Sequence, residues 1–341
     1  MLVLLVAVVT GAWAQDPTYA VKMANATDAE AANWTIASGQ SSVKGNVADG
    51  LTGLKENDAV TVTYSGRMKV KNVTATTDAV PPYAANEYKE ASWDGSKVVF
   101  TKETAASEPT AVANSDAAVT WSGWYTVSGE VTIGGNVTLG ADTHLILQDG
   151  ATLTINGQLN CRTNGKNLYI YGQKKGDGKL NVTNNSGNAI NSNTGYRIDI
   201  HGGEVTAEAT GTGLFTGYLA VYGGKLTATS GGGNGIGFGN TIDVYGGEVV
   251  ATSNATSDAH YGIRSSGSNT NQILTVYGGK VTATGNGVSG MAGYGSGFSC
   301  YVQSGADIMF YFSDNGTAWD TGTYYLAAEA APNNKRYAKA E

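Results

Sequence analysis

The chain has 341 residues, with 48 Gly, 5 Pro, 19 Tyr and a charged fraction of 14%, well below the roughly 25% usual in globular chains. Glycine at this level, with so little proline and charge, excludes a disordered linker, and the tyrosines point to strands. A net charge of −7 excludes the basic patch that nucleic acid requires, while a neutral polymer such as a polysaccharide is compatible with it.

The first segment is apolar. Leu2 to Val9 is unbroken by any polar residue, and Ala12-Trp13-Ala14 has the form of an A-x-A cleavage site. This predicts a secretory signal peptide over residues 1–14, although the positive n-region is missing. The run is too short to span a bilayer, which takes ~20 residues. After cleavage no transmembrane segment is expected, and the protein is expected to be secreted or displayed on the cell surface. No Cys follows the site, so a lipid anchor is not indicated.

Residues 15–80 read as a small β-meander module. Asp58-Ala-Val-Thr-Val-Thr-Tyr and Met68-Lys-Val-Lys-Asn-Val-Thr-Ala-Thr alternate apolar and polar over part of their length, with Ser65-Gly66 as a turn between them. Residues 81–116 read as linker plus hairpin: Pro81-Pro82, then Trp93-Asp94-Gly95 before the strand Lys97-Val-Val-Phe-Thr.

From Trp121 the text is periodic. Ile198-Asp-Ile-His-Gly-Gly-Glu-Val-Thr-Ala is followed by Leu219-Ala-Val-Tyr-Gly-Gly-Lys-Leu-Thr-Ala. Ile242-Asp-Val-Tyr-Gly-Gly-Glu-Val-Val-Ala and Leu274-Thr-Val-Tyr-Gly-Gly-Lys-Val-Thr-Ala come next. Leu168-Tyr-Ile-Tyr-Gly and Leu145-Ile-Leu-Gln-Asp-Gly open earlier, more divergent copies. A third apolar point recurs at Ile190, Leu214-Phe215, Ile236, Ile263 and Val288. Three short strands per ~20 residues, parted by Gly or Asn corners, predict an all-β fold, a parallel β-helix over residues 117–320. Residues 321–341 form a cap or tail. Handedness does not follow from the spacing; right-handed is the commoner form.

Strand alternation assigns faces. In Leu219-Ala-Val-Tyr the leucine and valine point inward. The outward ring position in successive coils is Tyr171, His201, Tyr222, Tyr245 and Tyr277. This ladder reads either as a platform for sugar rings or as rung-to-rung stacking that stiffens the solenoid. After each Gly-Gly come Lys179, Glu204, Lys225, Glu248 and Lys280, whose alternating signs fix register. Thr206, Thr227, Thr282 and Thr229, Thr252, Thr284 form partial threonine ladders, interrupted by Val250 and Glu208, which resemble the faces of ice-binding solenoids; threonine is also simply a good strand residue. Cys161 and Cys300 flank about six coils, roughly 25–30 Å at ~4.8 Å per strand. That exceeds the ~7 Å Cα limit of a disulfide, so both are expected to be unpaired.

Candidate chemistry is sparse. Asp199 and Asp243 occupy equivalent outward positions two coils apart, roughly 10 Å, near the upper end for an inverting carboxylate pair. They are the weak catalytic candidates. His144, His201 and His260 lack metal-ligand spacing, so no metal or other cofactor is expected; Ca²⁺ enters only if the chain is a lyase.

At the repeats the chain resembles exported right-handed parallel β-helix proteins of gut Bacteroidota, of the pectate-lyase-like superfold. These carry Y-G-G-[KE]-V-T-A-T repeats, here at Tyr222, Tyr245 and Tyr277. Trp121-Ser-Gly-Trp-Tyr-Thr-Val (one residue shorter between its tryptophans) and Leu145 to Thr154 match their opening motifs. The resemblance implies an exported β-helix that binds carbohydrate or mediates adhesion, and it carries over no functional residue. The expectation is a non-catalytic glycan binder or adhesin, with Tyr171, His201, Tyr222, Tyr245 and Tyr277 contacting a polysaccharide or glycoconjugate. The alternatives are a polysaccharide lyase or glycoside hydrolase acting on a plant or host polysaccharide, and a spacer without ligand.

Overall fold

The computed structural model describes residues 3–9, 18–24, 34–39, 41–44, 51–54, 61–64, 83–162, 166–256, 260–265, 272–285, 291–292, 298–302, 310–313 and 337–340. Among them no helix occurs. The chain divides into two compact units, Met1–Pro82 and Tyr83–Glu341.

The first unit is antiparallel. Trp34–Ser38 lies between Ser41–Lys44 and Thr61–Tyr64, which places half of the expected meander. A second sheet pairs the apolar Val3–Val9 with Thr18–Ala24, and the latter with Leu51–Leu54. Ala12 to Ala14, Pro81-Pro82 and the Met68 to Thr76 segment lie outside the described residues.

The second unit is a parallel β-solenoid of about six turns. Its third face shows why the sequence folds so. Glu130–Ile133, Thr152–Ile155, Lys179–Asn184, Glu204–Ala209, Lys225–Ser230, Glu248–Ser253 and Lys280–Gly285 stack in parallel with unbroken register. Every second residue enters the core: Leu180, Val182, Val205, Ala207, Leu226, Ala228, Val249 and Ala251 are all buried. Each large aliphatic among them contributes roughly 1.5–3 kcal/mol. The register puts Lys179 beside Glu204 and Lys225 beside Glu248, with ion pairs of 3.3 and 2.9 Å. These pairs are half exposed and worth little individually, but a one-residue slip would break them and turn the core strands inside out.

Faces one and two share several long strands. Val137–Leu147, Leu214–Val221 and Ile236–Val244 each run through a corner that joins the two faces. Face one carries the third apolar point: Ile190, Leu214, Ile236 and Ile263 align and are buried, while Val288 lies outside the described residues. Face two stacks Thr143 to Leu147, Leu168–Gly172, Arg197–Ile200, Tyr218 to Val221, Thr241 to Val244, Gln272–Val276 and Phe298–Val302. At the far end Tyr337–Ala340 runs antiparallel against both Lys280–Gly285 and Phe310–Ser313.

The corners repeat as faithfully as the strands. Between faces three and one an asparagine from one coil holds the next: Asn136, Asn188 and Asn234 accept from the backbone N–H of Gln158, Thr212 and Tyr261 at 2.8 to 2.9 Å. Between faces two and three stands the Gly-Gly pair. Its second residue adopts positive φ, +76° at Gly224 and +77° at Gly247. A Cβ on Gly247 would lie 2.5 Å from the Gly224 carbonyl oxygen, and one on Gly246 would lie 2.6 Å from that of Tyr222. Both glycines of the pair are therefore required, the second by conformation and both by the approach of the coil beneath.

Cys161 is free and fully buried, and burial pushes its thiol up to about 12. Cys300 pairs with Leu274 five strand steps further on, roughly 24 Å along the axis and far beyond disulfide reach.

Gly224→Ala is expected to destabilise the solenoid by at least about 2 kcal/mol, combining left-handed strain with the clash against Gly203. Gly195→Ala, at an open site with ordinary φ, is expected to stay within about 0.5 kcal/mol. Urea unfolding of both variants measures the contrast.

Candidate functional site

Face two presents two outward columns. The first runs Trp124, His144, Tyr169, Asp199, Ala220, Asp243, Thr275. The second runs Ile146, Tyr171, His201, Tyr222, Tyr245, Tyr277, immediately before the glycine corner. Because strands repeat at ~4.8 Å, rings at one position meet face to face. In the second column Tyr171–His201, His201–Tyr222, Tyr222–Tyr245 and Tyr245–Tyr277 have centroids 4.6 to 5.0 Å apart and planes within 25°. The five residues expected to form a ladder are thus brought together. The first column holds a ladder that the periodicity did not single out: Trp124–His144 at 4.2 Å and His144–Tyr169 at 4.6 Å. The two columns touch where His144 Nδ1 meets the Tyr171 hydroxyl at 3.0 Å.

The second column is not open along its length. Residues 83–105, read from sequence as linker and hairpin, belong to the solenoid unit and lie across it. Glu87–Trp93 and Val98–Thr104 form the hairpin, and within its turn Asp94 Oδ1 accepts from the backbone N–H of Ser96 and Lys97. Tyr88 packs 4.4 Å from Tyr171 and 5.2 Å from Trp124. Trp93 lies 5.5 Å from Tyr245 and 5.4 Å from Tyr277. Beneath the hairpin the outward-facing Ile146 is 0%, Tyr171 3% and His201 5% exposed, whereas Tyr222, Tyr245 and Tyr277 are half-buried. Polar anchors fix the hairpin's base. Gln173 Nε2 donates to the carbonyl oxygens of Ala84 and Glu87 at 2.7 and 2.8 Å, and Thr126 Oγ1 donates to that of Ala85 at 2.9 Å. Lys89 Nζ donates to the Lys174 carbonyl at 2.6 Å.

His201 is the polar rung. Its Nδ1 lies 3.0 Å from the Ala91 carbonyl oxygen and 3.3 Å from Glu90 Oε1. Burial holds its pKa down at about 4 and pushes Glu90 up to about 7, with the Glu103 and Asp199 charges also raising the latter. Between these values both groups are uncharged. In the neutral ring Nδ1 engages the Ala91 backbone, 3.0 Å from its carbonyl oxygen and 3.3 Å from its N–H, and the contact with Glu90 is no ion pair.

Asp199 and Asp243 stand two strand steps apart, roughly 10 Å, with Ala220 between them. Arg197 Nε donates to Asp199 Oδ1 at 2.9 Å, and the aspartate side chain is only 8% exposed. Burial raises its carboxyl and Arg197 pulls it back; burial also raises Asp243, countered by the Thr241 hydroxyl, which donates at 3.2 Å. Asp199 is therefore spent on orienting Arg197 and presents little surface to a substrate. His260 belongs to neither column and stands just ahead of the face-one strand Ile263–Ser265. Among the described residues no group of three or more His, Cys, Asp or Glu is arranged to hold a metal ion.

Comparison with family models, with curated proteins and with solved structures returned no match.

Docking of the hairpin is expected to depend on pH from both sides. Glu90 is raised from 4.5 to about 7, so its contribution is complete below about pH 4.5 and is lost as pH rises through 7. His201 is lowered from 6.5 to about 4, so its contribution is complete above about 6.5 and is lost as pH falls through 4. Amide exchange in Glu87–Trp93, corrected for intrinsic rates, should be slowest between these limits. From pH 4.5 to 6.5 the Glu90 loss and the His201 gain offset each other, so the alkaline loosening appears above about 6.5; Glu90→Gln should abolish it, an effect of at most about threefold in the opening equilibrium.

Proposed function

We propose that this protein is an exported, non-catalytic glycan-binding or adhesive β-solenoid. The observation that carries this reading is the pair of stacked aromatic columns on one outward face, whose Trp124, His144, Tyr169, Tyr222, Tyr245 and Tyr277 residues remain partly accessible. A pyranose ring presents a patch of C–H groups to an apolar surface, and the outward edges of a column of stacked rings form a continuous stripe that suits a chain of sugars better than a single small ligand. Arg197, the 38%-exposed Tyr218 and Asp243 lie alongside as hydrogen-bonding groups for sugar hydroxyls. The concealment of Asp199 behind Arg197 favours binding over hydrolysis. In this reading the Tyr-Gly-Gly repeats align the protein with exported β-helix proteins of gut Bacteroidota, and residues 1–14 are its export signal.

A glycan array is expected to return polysaccharide ligands, with Tyr222→Ala and Tyr245→Ala each weakening binding roughly tenfold. Background signal across the array, or binding indifferent to both substitutions, defeats the proposal. Protein secreted from a bacterial host is expected to begin at Gln15 when its N-terminus is sequenced; retention of Met1 in the exported protein would contradict the signal.

A further inference from the structure

The hairpin lies where a ligand would lie. Resting on the glycan-binding reading, we infer that its tip is a strap occupying the ligand's place, and that the site beneath it is the Tyr222–Tyr245–Tyr277 stretch, which takes the apolar face of a sugar ring when the tip lifts. Trp93 supplies the main observation. Its ring does not continue the column but lies across two rungs, tilted 33° to Tyr245 and 49° to Tyr277, while those two tyrosines stack within 16° of each other. A ring set across the two rungs, within 5.5 Å of both, occupies the place that a sugar unit on this ladder would take.

The hairpin's two ends are held differently. The base is tied by the Gln173, Thr126 and Lys89 hydrogen bonds, and by Tyr88, itself 7% exposed, against Tyr171. Ala91, at 2% exposure, seals the His201 rung. Beyond it Trp93, Val98, Val99 and Phe100 are only half-buried, and Asp94 to Lys97 are exposed. Val98 stands over the Gly246 corner, where an added Cβ would come within 3.3 Å of its Cγ2. Since the Asp94 turn bonds within itself, the tip can swing about Ala91 as a unit without unmaking its turn. The rungs it would uncover, Tyr245 and Tyr277, adjoin Tyr222 and the Asp243 and Thr275 side chains of the first column. These supply acceptors and a hydroxyl beside the ring face. A ligand that binds only the lifted state has its affinity reduced by the fraction of molecules with the tip up, and removing the strap removes that penalty.

The test compares wild type, Trp93→Ala and Trp93→Leu for binding to soluble β-glucan and to polygalacturonate by affinity electrophoresis, with urea unfolding to confirm that each variant folds. Trp93→Leu keeps apolar volume over the glycine corner if the alanine variant proves unstable. Both variants should bind about tenfold tighter than wild type to the polymer that wild type retains, and adding Tyr245→Ala should cancel the gain. Weaker binding would show Trp93 gripping the ligand itself, and unchanged binding would show no competition. Either result overturns the strap while leaving the glycan reading intact. Absence of binding by every variant to both polymers overturns both.

Discussion

The distance between adjacent strands governs this molecule. Every coil must settle directly on the one before it, and the place where a side chain would prevent that is the corner between faces two and three. There the backbone turns through positive φ with a carbonyl of the previous coil pressed against it, so Gly224 and Gly247 cannot carry a Cβ. Once the corners close, alternation does the rest. Aliphatic residues fall into a continuous core, and each outward position becomes a column with one residue per rung. Unlike charges fall beside one another, as Lys225 beside Glu248, and rings fall on rings. Neither ladder needs further design, because both follow from a register that a one-residue slip would destroy.

A stacked column of rings leaves a broad apolar stripe on the surface, and the protein covers the first part of it with its own chain. The hairpin buries Ile146, Tyr171 and His201 and only shades Tyr222, Tyr245 and Tyr277. This graded cover bears on function more than the ladder itself does. An uncovered ladder would be equally consistent with a mere stiffening device. A ladder partly covered and partly accessible, flanked by Arg197, Tyr218 and Asp243, divides one repeated feature into a stretch buried by the protein's own hairpin and a stretch that the glycan-binding proposal assigns to a ligand.

Much of the architecture was legible in the repeats. The alternation in Leu219-Ala-Val-Tyr gave the inward pair correctly, since Leu219 and Val221 are buried, and the position before the corner gave the second column rung by rung. The hairpin's destination was not legible, because periodicity describes neighbours along the axis and is silent about non-repeating segments. One residue carried a signal nonetheless. Ile146 occupies the outward ring position in the Leu145-Ile-Leu coil, and an aliphatic at an outward position asks for a cover. The aromatic rungs of the first column are not legible for a related reason: Trp124, His144 and Tyr169 are three different residue types, so similarity between copies does not reveal that they stack. The weak Asp199–Asp243 pairing came from equivalence in the repeat alone, which says nothing of what Arg197 does to one member.

On face two, several breaks in the repeat fall together. His201 stands in a column otherwise of tyrosines, Asp199 and Arg197 lie in the same coil, and Ile146 replaces a ring two rungs earlier. A hairpin resting on identical rungs could slide by one ~4.8 Å step with little change in contact. The irregular rungs remove that freedom. Tyr88 fits over Ile146 and Tyr171, the amide of Gln173 reaches two particular carbonyls, and the ring nitrogen of His201 meets the backbone of Ala91. Moving the hairpin one rung would leave the His201 nitrogen buried without a partner, which costs more than a ring contact returns. Sequence variation within the repeat thus encodes position along an axis that the repeat itself leaves degenerate. It fixes how far the hairpin reaches, and with it how many rungs stay partly accessible.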